Sequence, residues 1–256
     1  MPDDHLSAPT RNRLLAKLPG DELRHLLPAL KLIELKPHQV LYEQYGPIKD
    51  AYFPIGAAMS ALNLMEDGSI IEVATIGNEG LVGHTAVGDD RYSPNRVIAQ
   101  IGGPCYQVEA ATLRDQVVRN PGLRKLLGSY TTAYMAQVSQ SVACNGLHRL
   151  EQRCCRWLLM SRDRVGSNDL HLTHEFLAIM LGSRRASVTE LIRPLQDAGL
   201  IRTHRGLISI LDGPGLEDRC CECYQVVREA YDRILGRPAW PRYQAGEGGT
   251  EYDFNN

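Results

Sequence analysis

The chain has 256 residues, of which 43% are hydrophobic and 23% charged, and this average composition excludes collagen-like and low-complexity proteins. At roughly 100–200 residues per domain, the length predicts one large or two ordinary domains. The net charge of −2 excludes a globally basic nucleic-acid binder but not a locally basic one. Apolar runs stay shorter than the roughly 18 residues of a membrane span, and the start MPDDHLSAPT is too polar for a signal peptide. We therefore expect a cytoplasmic protein with no membrane partner.

The seven cysteines are an odd number in a long chain, which indicates reduced thiols rather than a disulfide scaffold. One pair, Cys220-x-x-Cys223, has the spacing of metal ligands. It falls in a helical pattern with Leu216, Val227 and Tyr231, and the sequence around it holds no second cysteine pair and no histidine. We expect a plain apolar helix face there, with no metal and no cofactor.

The first half of the chain predicts short helices followed by many short strands. Residues 14–30 have helical apolar spacing that Pro19 and Pro28 interrupt. Over residues 32–108, short β-type runs at 40–42, 51–53, 60–64, 70–73 and 97–101 are separated by Gly, Pro and Asp. Asp67-Gly68 lies between two of these runs and is a hairpin turn signal. Residues 12–118 therefore predict an antiparallel roll or sandwich.

Residues 121–146 predict one long helix with two stripes that can each pack against another surface. One stripe contains Leu123, Leu127, Tyr130, Tyr134, Gln137 and Ser141, and the other contains Met135, Val138 and Val142. Two stripes need two surfaces, so one can face the roll and the other a second copy of the same helix. A single core helix packed within its own chain explains the pattern equally well. If one stripe pairs with a second copy of the chain, the segment 119–146 is a dimerisation helix. The candidate residues of that dimer interface are Tyr130, Tyr134, Met135, Val138 and Val142.

The remaining segments are simpler. A second helix is predicted at about 149–164, a loop at 166–169, and a further helix over 213–236. Residues 237–256 carry Pro, Gly and acids without periodicity, which predicts a disordered tail.

Residues 172–212 predict two short helices followed by a β-hairpin. Thr173 is a candidate N-cap, and Gly182 ends the first helix. The second helix places Val188, Leu191, Ile192 and Leu195 on its inward face. Two helices joined by a glycine-containing turn are typical of a helix-turn-helix, and the hairpin after it is typical of a wing. We therefore predict a winged helix-turn-helix within residues 147–212.

The charge of this segment favours contact with DNA. Residues 184–205 contain five arginines and two acids. The start of the second helix enters the major groove in such motifs, where arginine recognises guanine and other polar groups bind phosphates. A solvated basic helix is the alternative. The predicted DNA-binding residues are Thr173, Arg184, Arg185, Ser187, Thr189, Glu190, Arg202, His204 and Arg205.

Two stretches, LTHEFLAIMLGSRRASVTELIRPLQDAGLI and AYFPIGAAMSALNLMEDGSIIEVATIGNEGLVG, resemble the Crp/Fnr family of bacterial transcription regulators, and the likeness extends over about residues 12–212. It implies an α+β chain with a cyclic-nucleotide-binding-like β-roll, a dimerisation helix and a C-terminal winged helix-turn-helix. The implied partners are double-stranded DNA, a second copy of the chain, RNA polymerase and a small-molecule effector. Arg185 matches the family's principal base-contacting arginine. Ala186 and Glu190 depart from the pattern, so the target sequence cannot be transferred.

The resemblance also implies an effector site at Gly83, His84, Asn95 and Arg96. His84 stands where cyclic-nucleotide-binding members have a glutamate, and losing that carboxylate removes roughly 1.5–3 kcal/mol of binding energy. Cyclic AMP is therefore not expected. Family members with an iron–sulfur cluster carry N-terminal cysteines, whereas the first cysteine here is Cys105. The effector, and whether one exists, stays open.

Catalytic motifs are missing from the sequence: it has no Gly-rich phosphate loop, no G-x-S-x-G and no H-E-x-x-H. We therefore expect that the protein is not an enzyme. The competing hypothesis is a small-molecule-binding or cyclic-nucleotide-binding signalling protein whose winged helix docks a protein partner.

Overall fold

The computed structural model describes residues 11–88 and 91–236, so the predicted tail at 237–256 lies outside the described residues. The first elements of the described residues are a 3₁₀ turn at Leu15–Lys17, a short helix α1 at Gly20–Leu26 and a second 3₁₀ turn at Leu27–Ala29. No helix in the described part of the chain is long and apolar enough to span a membrane.

An antiparallel roll follows, as predicted. Its strands are β1 (Lys31–Leu35), β2 (Val40–Tyr42), β3 (Asp50–Pro54), β4 (Ala58–Leu64), β5 (Ile70–Ile76), β6 (Arg96–Ile101) and β7 (Gly103–Glu109). They form two antiparallel sheets with the strand orders β1-β7-β3 and β2-β6-β4-β5. The β4–β5 turn lies at Asp67-Gly68, where Gly68 has a φ of 83° and the Asp67 carboxylate accepts a hydrogen bond from the amide of Ser69. Strands β1 and β7 were not predicted individually.

Two helices connect the roll to the rest of the chain. Helix α2 spans Ala110–Arg119, and the long helix α3 spans Pro121–Leu147. The stripe of α3 that contains Leu123, Leu127 and Gln137 is buried within the chain. Gly80 is required beside this helix, because a Cβ atom at that position would lie 2.6 Å from the hydroxyl of Tyr130.

The C-terminal half contains the predicted winged helix-turn-helix. Helix α4 (Leu150–Val165) is followed by β8 (Asp169–His171), α5 (His174–Met180), α6 (Arg185–Asp197), β9 (Ile201–His204) and β10 (Leu207–Ile210). The three strands form one antiparallel sheet in the order β8-β10-β9. Strand β8 was not predicted; its first residue, Asp169, is the last residue of the predicted loop.

The last segment corrects the sequence prediction of one helix over 213–236. It consists of α7 (Gly213–Asp218) and α8 (Cys223–Leu235), and residues 219–222 interrupt the helical hydrogen bonding. Helix α8 packs its Cys223, Tyr224, Val227 and Tyr231 side against α3. The break turns Cys221 and Cys223 toward the end of α3, so the expected plain apolar helix face is wrong.

Polar side chains fill the junction between the roll and α4. Glu72 accepts hydrogen bonds from the hydroxyls of Ser60 (2.5 Å) and Thr75 (2.8 Å) and from the indole of Trp157 on α4 (3.0 Å). The side-chain amide of Gln100 donates to the hydroxyl of Ser161 on α4 (2.9 Å). Desolvation raises the pKa of Glu72 above its ordinary value. These contacts fix the position of α4, and through it the winged domain, against the roll.

Candidate nucleic-acid interface

The first helix of the motif begins where the sequence predicts. The hydroxyl of Thr173 accepts a hydrogen bond from the amide of Phe176 at 3.1 Å, which is an N-cap interaction. Helix α5 ends at Met180, and Gly182 has a φ of 55°, a conformation that favours glycine. This turn lets α6 pack back against α5.

Helix α6 is amphipathic. Val188, Ile192 and Leu195 are buried beneath it, as predicted. Its first turns place Arg185, Thr189 and Glu190 in solvent and leave Ser187 half-buried, and Arg184 is exposed at the N-cap position. Amide hydrogens at the N-terminus of a helix attract anions. The exposed end of α6 therefore combines two arginines with a favourable helix dipole. The helix continues through Pro194 to Asp197.

The wing carries the other predicted residues. Arg202 and His204 on β9 and Arg205 in the turn are all exposed. The two turn residues, Arg205 and Gly206, have φ values of 45° and 79°. Positive φ at both positions is typical of a type I′ hairpin turn, which normally selects Asn or Gly. An arginine here is unusual for the local conformation.

One contact in the motif was missed at the sequence level. His174 Nδ1 lies 3.3 Å from the hydroxyl of Thr189, which itself donates to the carbonyl of Arg185 at 3.0 Å. Partial burial and then the nearby Arg185 lower the pKa of His174. The histidine lies beside the N-terminal turns of α6, and its contact orients Thr189. Its position just after the N-cap was the available signal.

The motif is docked on the rest of the chain through α5, so α6 and the wing keep their outer faces exposed. The ring of Phe176 lies 4.8 Å from that of His38 in the roll, measured between centroids. The guanidinium of Arg153 on α4 donates to the carbonyl of Leu181 at the end of the α5 turn.

Comparisons with known proteins agree with this geometry. Residues 152–219 match the model of the Crp-like helix-turn-helix domain. The transcriptional regulator SdrP of Thermus thermophilus is 26% identical over 183 residues, which cover 68% of this chain and 85% of SdrP. Among solved structures, a putative Crp/Fnr-family regulator from Eubacterium rectale has a TM-score of 0.62 at 18% identity, covering 82% of this chain and 98% of its own. FixK2 of Bradyrhizobium japonicum has a TM-score of 0.64 at 14% identity, covering 75% of this chain and 98% of its own.

The chain therefore carries a Crp-like helix-turn-helix domain and is similar to transcriptional regulators of the Crp/Fnr family. The curated relative is named a transcriptional regulator, and the matched domain is a Crp-like helix-turn-helix. The α+β architecture of roll, long helix and C-terminal helix-turn-helix is confirmed as well.

The four residues of the predicted effector site do not converge. Gly83 has a φ of 85°, and a Cβ atom at this position would lie 2.5 Å from the hydroxyl oxygen of Tyr42. His84 begins a 3₁₀ turn (His84–Val87) and its ring packs against Tyr130 and Tyr134 of α3, with centroid distances of 5.5 and 4.6 Å.

The other two predicted residues are engaged elsewhere. Asn95 donates to the side-chain oxygen of Asn63 at 2.6 Å, and Arg96 forms an ion pair with Glu43 at 3.4 Å. An open cavity of about 640 Å³ lies at another face of the roll, and its lining includes Lys49, Asp50, Glu109 and Arg114. None of the four predicted effector residues lines it.

The residues predicted for a dimer interface divide between two faces of α3. Tyr130 and Tyr134 are buried in the chain's own core, where the hydroxyl of Tyr130 donates to the carbonyl of Leu81 at 3.1 Å. Met135 and Val142 are 58% and 68% exposed, and Val138 is half-buried. The two tyrosines belong to the stripe that faces the roll, so they are not on the exposed face of α3 that a second copy could contact.

Proposed function

We propose that this regulator binds palindromic double-stranded DNA as a homodimer and recognises each half-site with the N-terminal turns of α6. The observation that carries the proposal is the exposed pair Arg184 and Arg185 at the start of a helix whose opposite face is buried. Such an end fits the major groove, with the helix dipole and the arginines both favouring the phosphate-rich surface.

Distinct roles follow from the placement of the side chains. Arg185 lies on the first turn of α6 and supplies a bidentate contact to guanine. Arg184 at the N-cap position and Arg202 and Arg205 on the wing contact phosphates. His174 contacts the hydroxyl of Thr189, and this contact keeps that hydroxyl in a fixed position in the groove.

A seam along the exposed side of α3 supports the homodimer. Its residues recur at alternating spacings of four and three, the pattern of a coiled-coil seam, and they are Gly128, Thr132, Met135, Ser139, Val142 and Gly146. All six are exposed, and open space surrounds Gly128 and Gly146. Pairing of two such seams allows both α6 helices to reach half-sites one helical turn, roughly 34–36 Å, apart.

The proposed sensor role of the roll does not include cyclic AMP. His84 replaces the glutamate expected for such a ligand and is packed against two tyrosines, while Asn95 and Arg96 are bonded to other residues. Calorimetric titration of the purified chain with cyclic AMP should therefore give no binding at micromolar concentration.

The test of the function is a selection from random duplexes with the purified chain, followed by titration of the recovered site. We expect a two-fold symmetric motif and an affinity that falls steeply with added salt, because several phosphates are neutralised. Arg185→Ala should lose about 1–3 kcal/mol of binding free energy and relax specificity at one base pair in each half-site. Arg193→Ala is the matched control, since Arg193 is exposed on the same helix nearer its C-terminal end.

Two results would contradict the proposal. One is a chain that binds no duplex at low salt, which would favour a winged helix that docks a protein. The other is an Arg185→Ala variant that keeps wild-type affinity and base preference.

A further inference from the structure

Four side chains that the regulatory function does not use meet where the end of α3 lies beside the start of α8. Cys144 and His148 are one helical turn apart at the end of α3, and Cys221 and Cys223 lie at the start of α8. One ligand atom from each residue lies within 4.8 Å of every other. The three cysteines are buried and the histidine is half-buried.

The distances fit a single tetrahedral ion. The sulfurs of Cys144 and Cys221 are 3.5 Å apart, and the sulfur of Cys223 is 3.4 Å from Nδ1 of His148. Bond lengths of about 2.3 Å to sulfur and 2.0–2.1 Å to nitrogen place tetrahedral ligands roughly 3.5–3.8 Å from each other. The other four pairs of ligand atoms are no more than 4.8 Å apart, so binding an ion requires the cluster to contract at these pairs by at most about 1.3 Å. An iron–sulfur cluster would need some of its ligands further apart, because they bind different iron atoms.

The neighbouring groups orient the ligands. Nε2 of His148 lies 3.3 Å from a carboxylate oxygen of Glu222, which favours the proton on Nε2 and leaves Nδ1 free to face the sulfurs. The side-chain amide of Gln140 donates to the sulfur of Cys223 at 3.0 Å. A carboxylate behind a histidine and an N–H donor on a sulfur are the usual outer contacts of a metal site.

Positive charge surrounds the cluster. Arg153 and Arg156 of α4 both interact electrostatically with Cys144. Arg156 is only 6% exposed, and its Nε finds no hydrogen-bond partner among the described residues. Three thiolates and one neutral imidazole around a divalent cation carry a net charge of −1. The buried Arg156 and the half-buried Arg153 beside the site compensate that charge.

We propose that Cys144, His148, Cys221 and Cys223 form a structural site for one thiophilic divalent cation of the zinc class. Three sulfurs and one imidazole in a closed tetrahedral set are typical of structural zinc. The ion would join α3 to α8 two residues before α4 begins, at the point where the chain leaves the sensor half and enters the DNA-binding half. The proposal stands independently of DNA binding.

The experiment uses the full chain, purified in reducing buffer and supplied with Zn²⁺, with metal content measured by mass spectrometry after gel filtration. We expect one zinc per chain and a higher thermal midpoint with zinc than with chelator. Replacement by Co²⁺ should produce the sulfur charge-transfer band and the intense visible bands of tetrahedral, thiolate-bound cobalt. The optical spectrum reports the ligands directly.

Single substitutions identify the ligands. Cys144→Ser and Cys223→Ser should lose the stoichiometric metal and the sulfur charge-transfer band. Cys220→Ser is the matched control, because Cys220 adjoins Cys221 and packs on the same cluster but lies outside the four-residue set. It should keep both signals. Glu222→Gln, which removes the carboxylate behind His148, should weaken zinc binding by about 10–100-fold.

The wild-type chain alone can overturn the proposal, so a variant that fails to fold does not obscure the result. A reduced chain with native circular dichroism that takes up neither zinc nor cobalt contradicts the site. A freshly purified chain that is metal-free and two hydrogens lighter, with Cys144 linked to Cys221, would show a redox pair instead. Equal metal loss in Cys220→Ser and Cys144→Ser would contradict the assigned ligands.

Discussion

Arg164 of α4 and Glu79 of the roll form an ion pair of 2.9 Å in which the side chains are only 6% and 5% exposed. The same guanidinium donates to the side chain of Gln137 on α3 at 2.8 Å and to the carbonyl of Thr75 at 3.1 Å. One buried cation therefore connects the roll, the long helix and the helix that leads into the winged domain. Such a charge is stable only while its partners remain in place.

Glu79→Gln should consequently be among the most destabilising single changes at this junction. Removing one partner of a buried ion pair costs about 3–5 kcal/mol, because the other charge is left uncompensated. Urea unfolding at neutral pH measures the loss. Asp197→Asn is the control, since it removes the partner of Arg193 in a pair that is 84% and 74% exposed, and it should change the unfolding free energy by less than about 1 kcal/mol. Similar losses in the two variants would contradict the role of the buried pair.

The burial of His84 predicts a dependence of stability on pH. Desolvation between Tyr130 and Tyr134 lowers its pKa from 6.5 to about 4. Because the folded-state pKa is below the unfolded one, the contribution of His84 to stability is complete above about pH 6.5 and is lost as the pH falls through 4. At about 1.36 kcal/mol per pKa unit, the loss is on the order of 3 kcal/mol.

Replacing the imidazole by a non-titrating ring isolates this effect. His84→Phe keeps an aromatic ring against both tyrosines, so its unfolding free energy should fall less between pH 7 and pH 4.5 than that of the wild type. Urea titrations at a series of pH values give the two curves. Parallel curves would mean that His84 does not carry the acid sensitivity.

Local signals in the sequence were sufficient for the hairpin at Gly68, the N-cap at Thr173 and the two helices of the DNA-binding motif. The same local patterns failed at the C-terminus, where Leu216, Cys220, Cys223 and Val227 have the spacing of one helix although a break separates α7 from α8. The proposed metal site could not be predicted for another reason. Its two pairs of residues, Cys144 with His148 and Cys221 with Cys223, are more than 70 residues apart in the sequence, and only the packing of α8 on α3 brings them together.

The exposed seam of α3 can be tested separately from DNA binding. Val142→Glu places a charge in the proposed interface, and two such charges facing each other should convert the dimer to a monomer. Analytical ultracentrifugation at micromolar concentration measures the change. Val118→Glu on α2 is the matched control, because Val118 is 74% exposed and Val142 68% exposed, and it should leave the dimer intact. A wild-type chain that is itself monomeric would contradict the seam.

The wing turn offers a test in which stability and binding should respond differently. Arg205 has a φ of 45°, a conformation that costs most side chains energy and that asparagine tolerates. Residues that violate a local preference are expected at functional positions. Arg205→Asn should therefore leave the free energy of unfolding unchanged or raise it by up to about 1 kcal/mol.

The same substitution removes a proposed phosphate contact. Duplex affinity should fall to a similar extent for specific and unrelated sequences, and the slope of log affinity against log salt should decrease by about one per subunit. Arg205→Lys keeps the charge and should retain most of that slope, although it also keeps the unfavourable φ. Fluorescence anisotropy at several salt concentrations and urea unfolding supply both measurements. An unchanged salt slope in Arg205→Asn would show that Arg205 does not contact the phosphates. A lower free energy of unfolding in the same variant would show that contacts within the chain, rather than DNA binding, account for the arginine at this position.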